Sequence, residues 1–239
     1  MFGYNTWHMR DIRRTAIWAV CGVVLAVVLV VGGVKLFGAN DPYTGLTLWR
    51  ETQIPEETRI ILEQRIATTN ASIAAKLSAG EDVSNDLYES LAYDAYVLGD
   101  LVTARESYER VVNANPLYYI GWNAYANTLE AMGDYDDAER AYRQALSLAP
   151  DVDTYYTDLT DLLTTRFTGR DEEVLALLQQ GVDMLGQRLT FMIALAEWYT
   201  THGDCDRAIA HYKVVASLNP AVAESVNVKI ADIRATCSE

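Results

Sequence analysis

The sequence predicts an all-α protein: one N-terminal transmembrane helix, then an α-solenoid of about four helix pairs with a capping helix at each end. Three observations carry that prediction. An apolar run of 20 residues, Thr15 to Val34, contains no charge. Four residue markers recur further along in one shared register. The segments flanking those markers have apolar residues at three- and four-residue steps.

The apolar run comes first. At the helical rise it spans roughly 30 Å, the thickness of a bilayer's hydrocarbon core. Arg10, Arg13 and Arg14 precede it, and Lys35 alone closes the far end. The positive-inside bias puts residues 1–14 in the cytoplasm, a single-pass anchor at 15–36 in the cytoplasmic membrane, and everything beyond outside. A cleaved secretory signal is the alternative, but such apolar cores are about 7–15 residues long. The candidate cleavage site, Phe37-Gly38-Ala39, also has a bulky residue where a small one is needed. Cys21 lies within the run and reads as an inert buried thiol.

Charge narrows the partners. The 239 residues carry a net −14, yet Arg10, Arg13, Arg14 and Lys35 against Asp11 leave the first 40 residues at +3 and the remainder at −17. A body so acidic repels phosphate backbones, so nucleic acid is not expected as a partner. Half the residues are hydrophobic, enough for a packed core rather than a disordered chain. Residues 37–54, with Asn-Asp-Pro and Thr-Gly, read as an extended tether.

Pro55-Glu56-Glu57 is a helix start, with proline in the first turn and acids against the positive end of the dipole. Leu62, Ile66, Thr69, Ile73 and Leu77 then form one apolar face. This segment, 55–84, is expected to cap the solenoid, with homodimerisation through the same face as the alternative. Asn70-Ala-Ser is formally a glycosylation acceptor, but it falls in the middle of that helix.

The markers follow. Gly99-Asp100 recurs as Gly133-Asp134, 34 residues on, and as Gly203-Asp204, 70 further. Ala104, Ala138 and Ala208 keep those spacings, as do Tyr108, Tyr142 and Tyr212, and Pro116, Pro150 and Pro220. Glycine suits a left-handed turn ending one helix, and proline stops the next. NDLYESLAYDAYVLGDLVTARESYERVVNANP and YIGWNAYANTLEAMGDYDDAERAYRQALSLAP show the pattern most fully. It resembles the tetratricopeptide repeat (TPR) family, whose unit is two antiparallel helices, and the layout resembles membrane-anchored bacterial members.

On that resemblance the units run 85–118, 119–152, 153–188 and 189–222, followed by a C-terminal capping helix in 223–239. The third unit departs from the pattern. TRFTGRDEE replaces its Gly-Asp turn, and Val174, Leu178 and Gly181 stand where alanine, tyrosine and alanine belong. It reads as a degenerate unit with a longer loop at 167–171, by drift or through contact with a partner.

The resemblance also brings Cys205, opening the last unit's second helix, beside Cys237, just past the capping helix. A disulfide between them is expected if the body lies in an oxidising compartment.

No catalytic constellation or cofactor site emerges. His8, His202 and His211 are scattered, and no HExxH, Gly-rich phosphate loop or GxSxG elbow occurs. The acidic stretch from Asp151 and Asp153 to Asp158 and Asp161 lacks the glycine a calcium loop needs and reads as a solvated helix start.

What remains is surface. The resemblance implies a concave groove lined by the first helices of the units. Its positions are Glu89, Tyr93 and Tyr96; Asn123, Asn127 and Glu130; Thr157, Asp161 and Thr164; and Ile193, Glu197 and Thr200. Tyr88, Tyr108 and Tyr142 are assigned to the core instead.

Family members that grip a C-terminal carboxylate use lysine and arginine with asparagine at such positions. Here Asn127 is present, but Glu89 and Tyr93 stand where lysine and asparagine are needed. The groove suits a basic, amphipathic or extended polypeptide segment, and the expected function is a non-enzymatic scaffold or adaptor. Two alternatives are a structural subunit of a large membrane complex and an apocytochrome-recognising factor of cytochrome c maturation.

Overall fold

A computed structural model describes residues 43–237. The expected anchor at 15–36 lies outside the described residues. Among those described, no helix is long and apolar enough to cross a membrane.

Among the described residues ten α-helices follow one another: α1 (Glu56–Ala79), α2 (Asn85–Leu98), α3 (Leu101–Ala114), α4 (Tyr119–Met132), α5 (Tyr135–Leu148), α6 (Asp153–Arg166), α7 (Asp171–Leu185), α8 (Leu189–Thr201), α9 (Cys205–Leu218) and α10 (Ala223–Thr236). A 3-10 turn, Pro220–Val222, joins the last two. Each helix packs on its neighbours in the chain, which is the nearest-neighbour arrangement of a solenoid. The helices pair as α2–α3, α4–α5, α6–α7 and α8–α9.

The local chemistry explains the pairing. Gly99, Gly133 and Gly203 adopt left-handed φ values of 100°, 87° and 74°, reversing the chain after each first helix. Asp100 and Asp204 then cap the second helices, accepting from the Thr103 and Arg207 amides at 3.1 Å. Ala104, Ala138 and Ala208 are fully buried where the two helices cross. Tyr108, Tyr142 and Tyr212 fill the space beside them at 4% exposure or less.

The third pair solves the same problem differently. Its turn, Phe167 to Arg170, is longer, and Arg170 ties it to the second pair by donating to Glu139 at 2.9 Å and to Glu173 at 2.5 Å. Arg143 pairs with both glutamates too. Gly181 lets Phe191 of α8 lie directly on α7. Phe191 is fully buried and meets Tyr156 edge-on at 5.7 Å.

The ends are closed. α1 buries Leu62 and Ile73 against the first pair. Its Arg65 reaches the carboxylate of Asp94, which is fully buried, at 3.0 Å. Ile60, Ile61 and Leu77 of α1 stay exposed. At the other end α10 buries Val226, Ile230 and Ile233. Cys205 and Cys237 are joined as a disulfide with Cα atoms 6.5 Å apart.

One expectation is corrected. Residues 47–52 are extended, as a tether would be, but they are strapped to the body instead of standing free. Thr47 donates its amide to Met132 O at 2.7 Å and Arg50 to Gly99 O at 2.9 Å, while Leu48 O accepts from Leu101 N at 3.2 Å. The strap therefore crosses the turns of the first two pairs, satisfying helix-end groups that would otherwise lack partners. A β-carbon on Gly99 would lie 1.9 Å from Arg50 O, so the turn glycine also admits the strap.

Candidate protein-binding groove

The repeat register stacks the first helices α2, α4, α6 and α8 into three columns. Glu89, Asn123, Thr157 and Ile193 form one; Tyr93, Asn127, Asp161 and Glu197 the second; Tyr96, Glu130, Thr164 and Thr200 the third. Within them the Asp161 carboxylate lies close enough to Glu130 and Glu197 to feel both charges.

Two tyrosines brace the columns from below, Tyr142 of the second helix α5 and Tyr118 of the turn just before α4. Tyr142, assigned to the core from sequence, is 1% exposed, yet its hydroxyl donates to Asn127 at 2.7 Å and to Glu130 at 2.9 Å. Burial, and then the negative charge of Glu130, push that phenol far above its ordinary value. Tyr118 does the equivalent for Glu89, donating at 2.5 Å. Burial and that bond raise Tyr118 to about 12. Both tyrosines are neutral donors at any ordinary pH, so they orient the carboxylates without neutralising them.

The remaining positions divide. Tyr93 is exposed at 57%, available to a ligand. Tyr96 is half-buried beneath the strap: the Arg50 guanidinium sits 4.7 Å from its ring centre and donates to its hydroxyl at 3.5 Å. Ile193 is half-buried against the core, while Glu197 is open and meets Lys229 at 3.6 Å. Arg166 lies 3.9 Å from Glu130.

Sequence reasoning missed Asp158, which had been read as part of a solvated helix start. It is half-buried and accepts from the Asn123 side chain. Burial pushes its carboxyl up, and the neighbouring charges of Asp161 and Glu130 add to that. Asp161 moves the same way, through partial desolvation between the helices and then Glu130 and Glu197. A run of mutually repelling carboxylates therefore follows the groove from α4 through α6 to α8. His211, inside α9, stacks on Tyr199 at 5.4 Å and has no place in the groove. Among the described residues no group of three metal-ligating side chains gathers.

A family model for the tetratricopeptide repeat matches residues 119–152. No curated protein matches the chain by sequence. Among solved structures, a tetratricopeptide repeat protein from Parabacteroides merdae superposes with TM-score 0.56 at 20% identity, over 64% of this chain and 60% of that one. PilW, a type IV pilus biogenesis factor, gives 0.52 at 18% identity over 64% of this chain and 70% of its own. YrrB, a TPR protein with an unusual peptide-binding site, gives 0.52 at 16% identity over 69% and 82%. At these identities the likeness is one of fold. Residues 119–152 match the tetratricopeptide repeat, and the helix pairs on both sides of them share the same all-α repeat fold.

Proposed function

We propose that this protein is a non-enzymatic scaffold that holds a basic or extended segment of a partner polypeptide in the groove of α2, α4, α6 and α8. The observation carrying this reading is the run of carboxylates at Glu130, Asp158, Asp161 and Glu197, three of them on the column positions and Asp158 next to Thr157, whose charges disfavour one another. A cationic segment relieves that repulsion on binding, which adds to affinity and steers association. Tyr93 supplies an exposed aromatic face, and Asn127 an amide. Protein-protein interaction is the usual work of TPR proteins, and YrrB is a TPR protein with a peptide-binding site.

In the same reading Thr15–Val34 anchors the chain in the cytoplasmic membrane, with the solenoid on the far side. Confinement to that surface raises the effective concentration of the scaffold for a membrane-associated partner. A second reading, a structural subunit of a membrane complex or a homodimer, is favoured by a different surface. Ile60, Ile61 and Leu77 of α1 are each at least 46% exposed.

A crosslinked pull-down from mild detergent separates the two. Full-length protein is compared with a variant carrying Tyr93→Ala, Tyr96→Ala and Asn127→Ala. The groove reading expects a partner that the triple variant loses. Equal recovery of the same partners by both proteins overturns it in favour of the complex.

A further inference from the structure

The second helix of each pair carries a buried tyrosine at one register position, except in the third. Tyr108, Tyr142 and Tyr212 hold one register position, and Leu178 of α7 holds its equivalent. In the second pair the tyrosine ring fills the space under α4, and its hydroxyl ends on Asn127 and Glu130. Asn127 corresponds to Asp161 in the third pair. Leu178, 1% exposed, has neither a ring nor a hydroxyl to offer Asp161.

The missing ring leaves a cavity of about 240 Å³ between α6, α7 and α8. Val174, Leu178 and Ala194 make its apolar floor, and Trp198 stands as one wall. Asp161 and Glu197 flank its mouth. The wall is fixed: Trp198 donates its indole N–H to Asp171 O at 3.2 Å and stacks on the His202 ring at 3.8 Å. Among the described residues no basic side chain lies within ion-pair distance of Asp161. Glu197 has only Lys229, at 3.6 Å and with both side chains more than half exposed, a pair of little strength.

We infer that this cavity is a subsite for one long basic side chain, arginine or lysine, of the polypeptide held in the groove. The shape and the charge point to the same occupant. An aliphatic stem of three or four methylenes suits the Val174–Leu178–Ala194 floor, and its cationic head reaches the two carboxylates, where a charge-assisted bond forms. An uncharged apolar side chain would cover Asp161 and Glu197 without pairing them, and an acidic one would add to their repulsion. The volume fits a single side chain and is too small for a separate ligand of drug size. The third unit's departure from the repeat is then a specificity position, with Leu178 making the space and Asp161 reading the charge.

The inference rests on the groove reading for the source of the side chain, but the cavity can be tested without a partner. Methyl-labelled full-length protein in mild detergent is titrated with N-acetyl-arginine amide, N-acetyl-lysine amide, and the citrulline analogue as an uncharged isostere. The Val174 and Ala194 methyl signals report occupancy. Saturable shifts in the millimolar range are expected with arginine or lysine, and the stronger of the two names the preferred side chain. Binding at least about tenfold weaker is expected with citrulline, since one charge-assisted pair is lost.

Leu178→Tyr places there the residue of the other three pairs and is expected to abolish the shifts by filling the cavity, with circular dichroism checking that the variant is folded. Asp161→Asn leaves the cavity open and is expected to weaken arginine but not citrulline. Equal shifts with citrulline, no shifts at all, or shifts that survive Leu178→Tyr overturn the inference. If they do so while the triple groove variant still loses its partner, the groove reading stands without this subsite. If arginine binds as described and the triple variant keeps its partner, the subsite stands and the groove reading falls.

Discussion

A β-carbon on Gly181 would lie 2.6 Å from the ring of Phe191, so the absence of a side chain on α7 is what lets α8 seat its phenylalanine. Phe191 is fully buried and cannot swing outward without opening the core. Gly181→Ala is therefore expected to lose about 1–3 kcal/mol, the usual cost of overpacking, despite alanine's better helix propensity. A urea denaturation midpoint measures it. Adding Phe191→Leu should recover part of the loss.

Arg65 and Asp94 make the polar fastening of α1. Burial raises the Asp94 carboxyl, and Arg65 opposes that by favouring its charge. Arg65→Ala strands a buried carboxylate, at an expected cost of about 1–3 kcal/mol. Faster amide exchange along α1 should accompany it. Asp94→Asn in the Arg65→Ala background should return most of the stability, because a neutral amide costs less to bury than a charge.

The groove carboxylates give a pH signature. Asp158 is raised above its ordinary 3.8, chiefly by burial. The folded state thus holds this proton to higher pH than the unfolded chain. Its penalty is present in full above the raised value, shrinks as pH falls through it, and vanishes below 3.8. Asp158→Asn removes that penalty together with a like charge three residues from Asp161. It is expected to stabilise the protein at pH 7 by about 0.2–0.5 kcal/mol. Denaturation midpoints of the two proteins at pH 7 and about pH 4 check this; the gap should narrow at the lower pH.

The disulfide of Cys205 and Cys237 spans 32 residues of sequence. Closing a loop of that size removes unfolded-state entropy equivalent to about 3–4 kcal/mol. Cys237→Ser, or reduction, should lower the melting temperature and release α10 first. Thiol counting on the denatured, unreduced protein gives one free cysteine if the bond forms in the cell and three if it does not.

The all-α repeat was legible because its markers act over a few residues of backbone. Gly133 reverses the chain and Pro150 stops a helix wherever those residues stand, so their recurrence reports the fold directly. The strap was not legible, for an opposite reason. Thr47, Leu48 and Arg50 bind through backbone groups to turns far away in sequence, which no side-chain pattern announces. Gly99 carries the trace of it, but the left-handed turn already accounts for that glycine.

The columns of the groove came from register alone. What tyrosine contributes to them did not, because a buried position says nothing about where a hydroxyl ends. Leu178 stood out in the sequence as a departure from the repeat. Its consequence, an opening between three helices, exists only once α6 and α8 are packed around it.

The strap has one more consequence, and it is mechanical. Thr47, Leu48 and Arg50 precede α1 in the chain, and their bonds fall on the edges of the first two pairs. Tension arriving from the N-terminal side meets those backbone bonds before it reaches α1 or the ion pair of Arg65 with Asp94. The pull is shared between the turn carbonyls of Gly99 and Met132. The spacing of α2 and α4 is held from outside by the same three bonds.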